Sequence, residues 1–236
     1  MDLHADKFQL LSIRSTAEVQ HSNGSVIEPQ ADMVYLGALI SGDGHPVREL
    51  TRRIGNARAD FRALSKVWKH SGLSRARKIR IYTSIVLSKL TYGLATTWLN
   101  VAERRRLNGF HCRCLREIWG IAPAFLSRVS NARVLQLTQQ SPLTQTLAKQ
   151  QLLLLGKAAR APEGSLFRTS TFCPRTLTPA TNRYVRKVGR PRSEWVPHVY
   201  RMAVSLTGSA ATLERLIESE ADWKLFVNSA DLQNVV

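Results

Sequence analysis

Apolar positions along the chain change rhythm twice. Two short β-prone runs, FQLLSI at 8–13 and MVYLGALI at 33–40, come first, with Asn23-Gly24 between them flanked by Val19 and by Val26-Ile27. Asn-Gly between such runs is a type I′ hairpin signal, so residues 1–44 predict a small antiparallel sheet closed by the SGDG turn at 41–44. From Pro46 the rhythm becomes helical. Val47, Leu50, Ile54, Ala57, Phe61, Leu64 and Trp68 recur at steps of three and four, with Arg58, Arg62, Lys66 and Lys69 as a second stripe on the exposed side.

A second helix is predicted from Ser74 as N-cap to about Trp98, its half IVLSKLTYGLATTW apolar nearly all round and therefore buried. A third spans about 102 to 119, a short one 130–138, and a longer one runs from Ser141 (N-cap) and Pro142 (first position) to Ala161. Residues 162–192 hold Pro162, Pro174, Pro179 and Pro191 with little periodicity, and predict a basic Pro/Thr-rich linker, while 193–236 predict two helices. The expected architecture is a mainly α fold in five parts: a β-hairpin region at 1–44, a helical bundle at 45–121, a helical extension at 122–161, the linker, and a helical C-terminal unit at 193–236.

Charge separates these parts. The 236 residues carry 34 Lys+Arg against 17 Asp+Glu, a formal net charge of +17. The surplus is concentrated in the middle, where 45–120 hold 17 basic and 4 acidic residues and 121–192 hold 12 and 1, whereas both ends are weakly acidic. So one-sided a balance opposes compaction and points to a polyanionic partner, nucleic acid before an anionic membrane surface. The longest purely apolar run, Leu152 to Leu155, is far too short to cross a bilayer. Three cysteines and no secretory leader at the start predict a reducing, intracellular setting, nuclear or cytoplasmic, rather than a disulfide framework.

The densest candidate chemistry is FHCRCLREIWGI at 110–121. On a helix, His111 and Cys114 share a face with Leu107, Phe110, Leu115 and Ile118, but Cys112 points about 160° from Cys114, so one metal ion cannot take both thiolates. We expect Cys114 and His111 to be core residues, Arg113 and Arg116 to lie outside, and Cys112 to be an exposed thiol whose pKa neighbouring arginines lower. No phosphate-loop, Gly-x-Ser-x-Gly or clustered-carboxylate pattern suits metal-assisted phosphoryl transfer, and no metal or other cofactor is expected in this chain. The basic helices are the stronger signal: Arg52, Arg53, Arg58, Arg62, Lys66, Lys69, Arg75, Arg77, Lys78 and Arg80, with Arg104, Arg105 and Arg106, form a candidate phosphate-tracking groove. The alternative is an ordinary solvated face. VGRPRSEW at 188–195 resembles the Gly-Arg-Pro core of minor-groove AT-hooks, although Val188 replaces a basic residue there; a basic linker entering a helix is the simpler account.

The order of segments resembles the C-terminal third of reverse transcriptases from non-LTR (LINE-type) retrotransposons. Tyr35-Leu36-Gly37 followed by Asp43-Gly44, then Arg52-Arg53-Ile54, Tyr92-Gly93, and Phe110-His111 with Cys114-Leu115-Arg116 carry the likeness over about 35 to 121, and LLLLGKAARAP and GRPRSEW extend it loosely. The resemblance implies that Tyr35-Leu36-Gly37 corresponds to a primer grip, that the helices from Pro46 to about Gly120 correspond to the thumb that contacts a template-primer backbone, and that 1–44 is part of a palm sheet. It makes Lys7, in HADKFQLL, the counterpart of a lysine that assists pyrophosphate departure, although Phe8 stands where the family has a small hydroxyl residue. The Asp-Asp carboxylates, which in the complete enzyme bind magnesium, would lie upstream of Met1. No polymerase activity is therefore expected of this chain alone, and the absent catalytic region is an expected partner. The alternatives are a non-enzymatic DNA- or RNA-binding protein derived from such an element, and a decayed remnant with no function.

Overall fold

In the computed structural model, which describes residues 8–13, 15, 17–181 and 194–232, helices dominate and strands are confined to the region before Pro46. The mainly α expectation holds. The single small antiparallel sheet does not: β1 (Leu10–Leu11) pairs in parallel with β2 (Pro29–Gln30), and β3 (Asp32–Tyr35) pairs antiparallel with β4 (Ala38–Ser41) in a separate sheet. The Asn23-Gly24 turn forms, with Gly24 at φ +83° and Ile27 N–H donating to the Val19 carbonyl at 2.8 Å, yet Gln20 and Val26 make only an isolated bridge. Val19 and Val26 are exposed, so no buried face rewards extending that ladder. The SGDG turn closes as expected, Gly44 N–H donating to the Ser41 carbonyl at 2.9 Å.

The apolar rhythm after Pro46 becomes α1 (Val47–Ala63) and α2 (Ser65–His70), interrupted at Leu64. The register survives the break: Trp68 stacks on Phe61 with ring centroids 5.1 Å apart, and its indole N–H donates to the Phe61 carbonyl at 2.8 Å. Ser74 caps α3 (Arg75–Ile81), which passes through a π-helical segment, Tyr82–Leu87, into α4 (Ser88–Thr91). The helix expected to reach Trp98 stops there because Gly93 adopts φ +77°, a left-handed conformation that ends the hydrogen-bond ladder; a 3-10 turn, Leu94–Thr96, follows.

α5 (Val101–Trp119) is the central helix, opened by an Asn100/Glu103 capping box and closed by Gly120 at φ +70° with Ile121 N–H donating to the Arg116 carbonyl. α6 (Ala124–Ser127) and α7 (Asn131–Thr138) lead to α8 (Leu143–Ala159). Ser141 is not its cap. Pro142 occupies that position, and the Thr144 N–H is instead satisfied from another helix, by Asn108 Oδ1 of α5 at 3.1 Å.

α8 belongs to two cores. Leu143 and Leu147 pack with residues of α1 to α5, whereas Leu152 and Leu155 pack with the C-terminal helices. Those are three rather than two, α10 (Trp195–Thr207), α11 (Ala210–Glu218) and α12 (Glu220–Ser229), since Ser219 turns extended and its hydroxyl caps α12. The linker expectation fails over 162–181. α9 (Leu166–Thr171) and a bridge between Phe172 and Pro179 order this stretch, with Phe172 buried and the buried Arg168 guanidinium binding the Ala159 and Thr176 carbonyls and Glu163. The rest of the expected linker lies outside the described residues.

Candidate nucleic-acid interface

The hairpin tip between β3 and β4 is held by polar contacts from two helical segments. Leu36 and Gly37 both have positive φ, +47° and +79°, the two-residue type I′ geometry that matches strand twist. Their carbonyls point into the fold. Gly37 O accepts from Arg52 Nη2 at 2.7 Å and Arg53 Nη2 at 2.5 Å, and Leu36 O accepts from the Tyr92 hydroxyl at 2.9 Å. Glu49 completes the clamp by accepting from Leu39 N–H at 3.1 Å while pairing with both arginines. Burial works to raise the Glu49 carboxyl, but the hydrogen bonds from Arg52, Arg53 and Leu39 outweigh it and hold the pKa below the usual carboxylate value. With its carbonyls fixed inward, the tip presents Tyr35, 58% exposed, and Leu36, 76% exposed, to solvent.

Not every arginine or lysine of the basic stripes is available to a ligand. Arg53 is buried, bonded also to the Lys89 carbonyl, with its guanidinium 4.9 Å from the centre of the Tyr92 ring. Lys78 is buried and donates to the Trp68 carbonyl at 2.8 Å. Arg104 lies over the Trp98 ring at 4.3 Å and donates to the Leu99 carbonyl. These three, with the half-buried Arg52, hold the fold together. Arg58, Arg62, Lys66, Lys69, Arg75, Arg77, Arg80, Arg105 and Arg106 are exposed, with Arg75 resting 5.7 Å from the Trp119 ring.

Part of the exposed set, Arg58, Arg62, Lys69 and Arg106, borders a seam where α1–α2 and α5 run in the same direction. Arg106 donates to Thr51 Oγ1 at 2.8 Å at one end, Lys69 meets Glu117 at 3.8 Å at the other end, and the charges of Arg58 and Arg113 are both felt at the Cys114 thiol beneath. Two glycines, Gly55 of α1 and Gly109 of α5, fall on the seam-facing stripes, and a Cβ at either would meet nothing within 4 Å. Helix geometry puts Arg58 and Arg62 about 6 Å apart along α1 on the same stripe.

The seam opens into a surface cleft of about 750 Å³ bordered by Lys69, Gly109, Arg113, Arg116, Glu117 and Phe125. Sequence patterning missed Phe125, which sits on a four-residue helix too short to show a period, and missed Tyr92 and Glu49 as holders of the hairpin. The Tyr-Gly pair and the lone acid among arginines were their only signals.

The Phe-His-x-x-Cys cluster lies beneath the seam, not on it. Tyr82 Oη and His111 Nδ1 are 3.0 Å apart, and burial lowers the His111 pKa to about 4 despite a hydrogen bond to the Ser141 backbone. Burial likewise raises the Cys114 thiol to about 12. Cys112 corrects the expectation of an exposed, acidified thiol: it is 2% exposed and burial raises its pKa against the pull of Arg116. Asn108 and Arg116, four residues to either side of it, bond to Thr144 and to Val129 and Asn131, so α7 and the start of α8 cover that face of α5. Arg116 is therefore buried rather than outside.

Among the described residues no group of three or more His, Cys, Asp or Glu is placed to hold a metal ion. No helix among them is long and apolar enough to cross a membrane. Lys7 and the VGRPR segment lie outside the described residues. No family model, curated protein or solved structure matches the chain.

Proposed function

We propose that this chain binds the sugar-phosphate backbone of a nucleic-acid duplex or hybrid without sequence preference, in the manner of the primer-grip and thumb portion of a LINE-type reverse transcriptase. The observation that carries the proposal is the joining of the Tyr35-Leu36-Gly37 turn to the basic helices. Arg52, Arg53 and Tyr92 grip its carbonyls, so a hairpin tip and an arginine-lined seam move as one unit. A hairpin placed that way can hold a strand end while the seam follows phosphates. The chain is assigned no catalysis of its own; a separate region carrying metal-binding carboxylates is its proposed partner in polymerisation.

The test is binding of a blunt RNA–DNA hybrid, read by fluorescence anisotropy across a salt series. With Arg58, Arg62, Lys66 and Arg106 on phosphates, log K should fall with log salt at a slope of roughly −3.6, a loss of roughly 150-fold between about 50 and about 200 mM. Replacing Arg58 and Arg62 with alanine should weaken binding and flatten the slope by about 2. Affinity that stays constant over that salt range overturns the proposal.

A further inference from the structure

The cleft at the end of the seam differs in character from the seam itself. Phe125 is 72% exposed on one wall, an aromatic ring on the surface with no partner ring among the described residues. It is not on a loose loop. The buried Arg116 guanidinium binds the Ala122 and Val129 carbonyls and Asn131 Oδ1, tying both ends of the 121–131 connection to α5. Ile121 N–H is fixed on the Arg116 carbonyl at 2.8 Å, and α6 ends at Arg128 in a left-handed conformation, φ +55°.

Facing that ring are Lys69 and Arg113, both exposed, with Glu117 the single carboxylate on the rim, 3.8 Å from Lys69. Arg116 has given its donors to the connection, so Lys69 and Arg113 are the cations left to a ligand, one in excess over Glu117. Gly109 leaves the floor between them open to close approach. An ordered aromatic face beside a net positive rim is the pairing that holds a nucleotide by stacking its base and neutralising its phosphate.

We infer that this cleft takes an unpaired nucleotide of a single-stranded extension, its base stacked on Phe125 and its phosphate against Lys69 and Arg113, as the strand leaves the duplex held along the seam. The inference rests on the proposed backbone binding and adds to it a preference for a duplex with a single-stranded extension over a blunt one.

The experiment compares a blunt hybrid with the same hybrid carrying a four-nucleotide overhang on either strand, using the full chain. One overhang should bind roughly tenfold more tightly than the blunt form, and Phe125→Ala should remove that gain while leaving blunt binding unchanged; Phe125→Trp should keep it. With 5-iodouridine in the overhang, ultraviolet cross-linking followed by peptide mass spectrometry should place the adduct on Phe125. Equal affinity for blunt and overhung hybrids, or a gain that survives Phe125→Ala, overturns this inference while salt-dependent blunt binding still stands. Absence of all binding overturns both.

Discussion

Arginines of one helix have different duties here, and their surroundings say which. Arg53 and Arg58 both sit on α1, but Arg53 is buried and supplies hydrogen bonds to Glu49, Gly37 O and Lys89 O, whereas the Arg58 head is in solvent. Truncating Arg53 takes one of two arginines from the buried Glu49 carboxylate and one of two donors from Gly37 O, with Arg52 left on both, so Arg53→Ala should cost about 2 kcal/mol in urea unfolding, and Arg58→Ala less than about 0.5. In binding, Arg58→Ala should lose affinity at unchanged stability. His111 is the other residue whose state matters to folding. Its folded pKa of about 4 lies below the unfolded value of 6.5, so its contribution is complete above pH 6.5 and is lost as pH falls from there through 4. The difference amounts to about 3 kcal/mol at the acid end. Urea midpoints of the native chain and of His111→Gln, compared at pH 7.5 and 4.5, should diverge: the native chain drops more, and an identical drop in both would exclude His111 as the cause.

At the scale of elements, what the sequence disclosed depended on how local the cause was. The repeat from Val47 to Trp68, the Ser74 cap and the helix ending at Trp119 were legible because periodicity and caps are written within a few residues. The stop at Gly93, the uncapped start of α8 and the order in 162–181 were not. The start of α8 depends on a partner distant in sequence, Thr144 on Asn108; the Gly93 stop sets Tyr92 on the equally distant Leu36; and the order in 162–181 rests on Arg168 bonds to Ala159 and Thr176, nine and eight residues away, that follow no helical or strand period. The burial of Cys112 belongs with them, since a helical wheel shows which way it points but not that α7 covers it. The same limit applies to the candidate site, where the stripe from Arg58 to Lys69 could be read off the chain and its junction with Arg106 and Phe125 could not.

Gly156 shows how tight such a distant partnership is. A Cβ there would lie 2.4 Å from two atoms of the Trp223 indole, which is fully buried and donates to the Leu152 carbonyl at 2.9 Å. Ala favours helix over Gly by about 1 kcal/mol, yet Gly156→Ala should destabilise by about 2 kcal/mol because the clash between α8 and α12 outweighs propensity. Thermal unfolding decides the sign, and a stabilised variant would mean that Trp223 has room to move.

For the molecule as a whole, α8 joins the two cores, and the C-terminal helices reach back to the central turn. Trp195 Nε1 donates to the Ala95 carbonyl at 2.6 Å, Gln151 Nε2 to Thr97 O at 2.6 Å, and the His198 ring lies 4.6 Å from Trp98. These contacts leave the Arg58–Arg113 seam uncovered and make unfolding of either core felt by the other. They also bear on the rival source of binding, the basic run at 183–192 with its Gly-Arg-Pro core, which contains Arg183, Arg186, Lys187, Arg190 and Arg192. Removing those residues should change hybrid affinity no more than about threefold at about 150 mM salt if the seam carries the backbone, whereas Arg58→Ala with Arg62→Ala should change it by tenfold or more. A minor-groove contact predicts the reverse order, together with a preference for A·T-rich over G·C-rich duplex that disappears with the deletion. Anisotropy titrations of the two variants on two duplexes of equal length and opposite composition separate the cases. If the seam touches only phosphates, as proposed, the native chain should bind both duplexes alike, and a composition preference that survives the deletion would count against a purely backbone-directed seam.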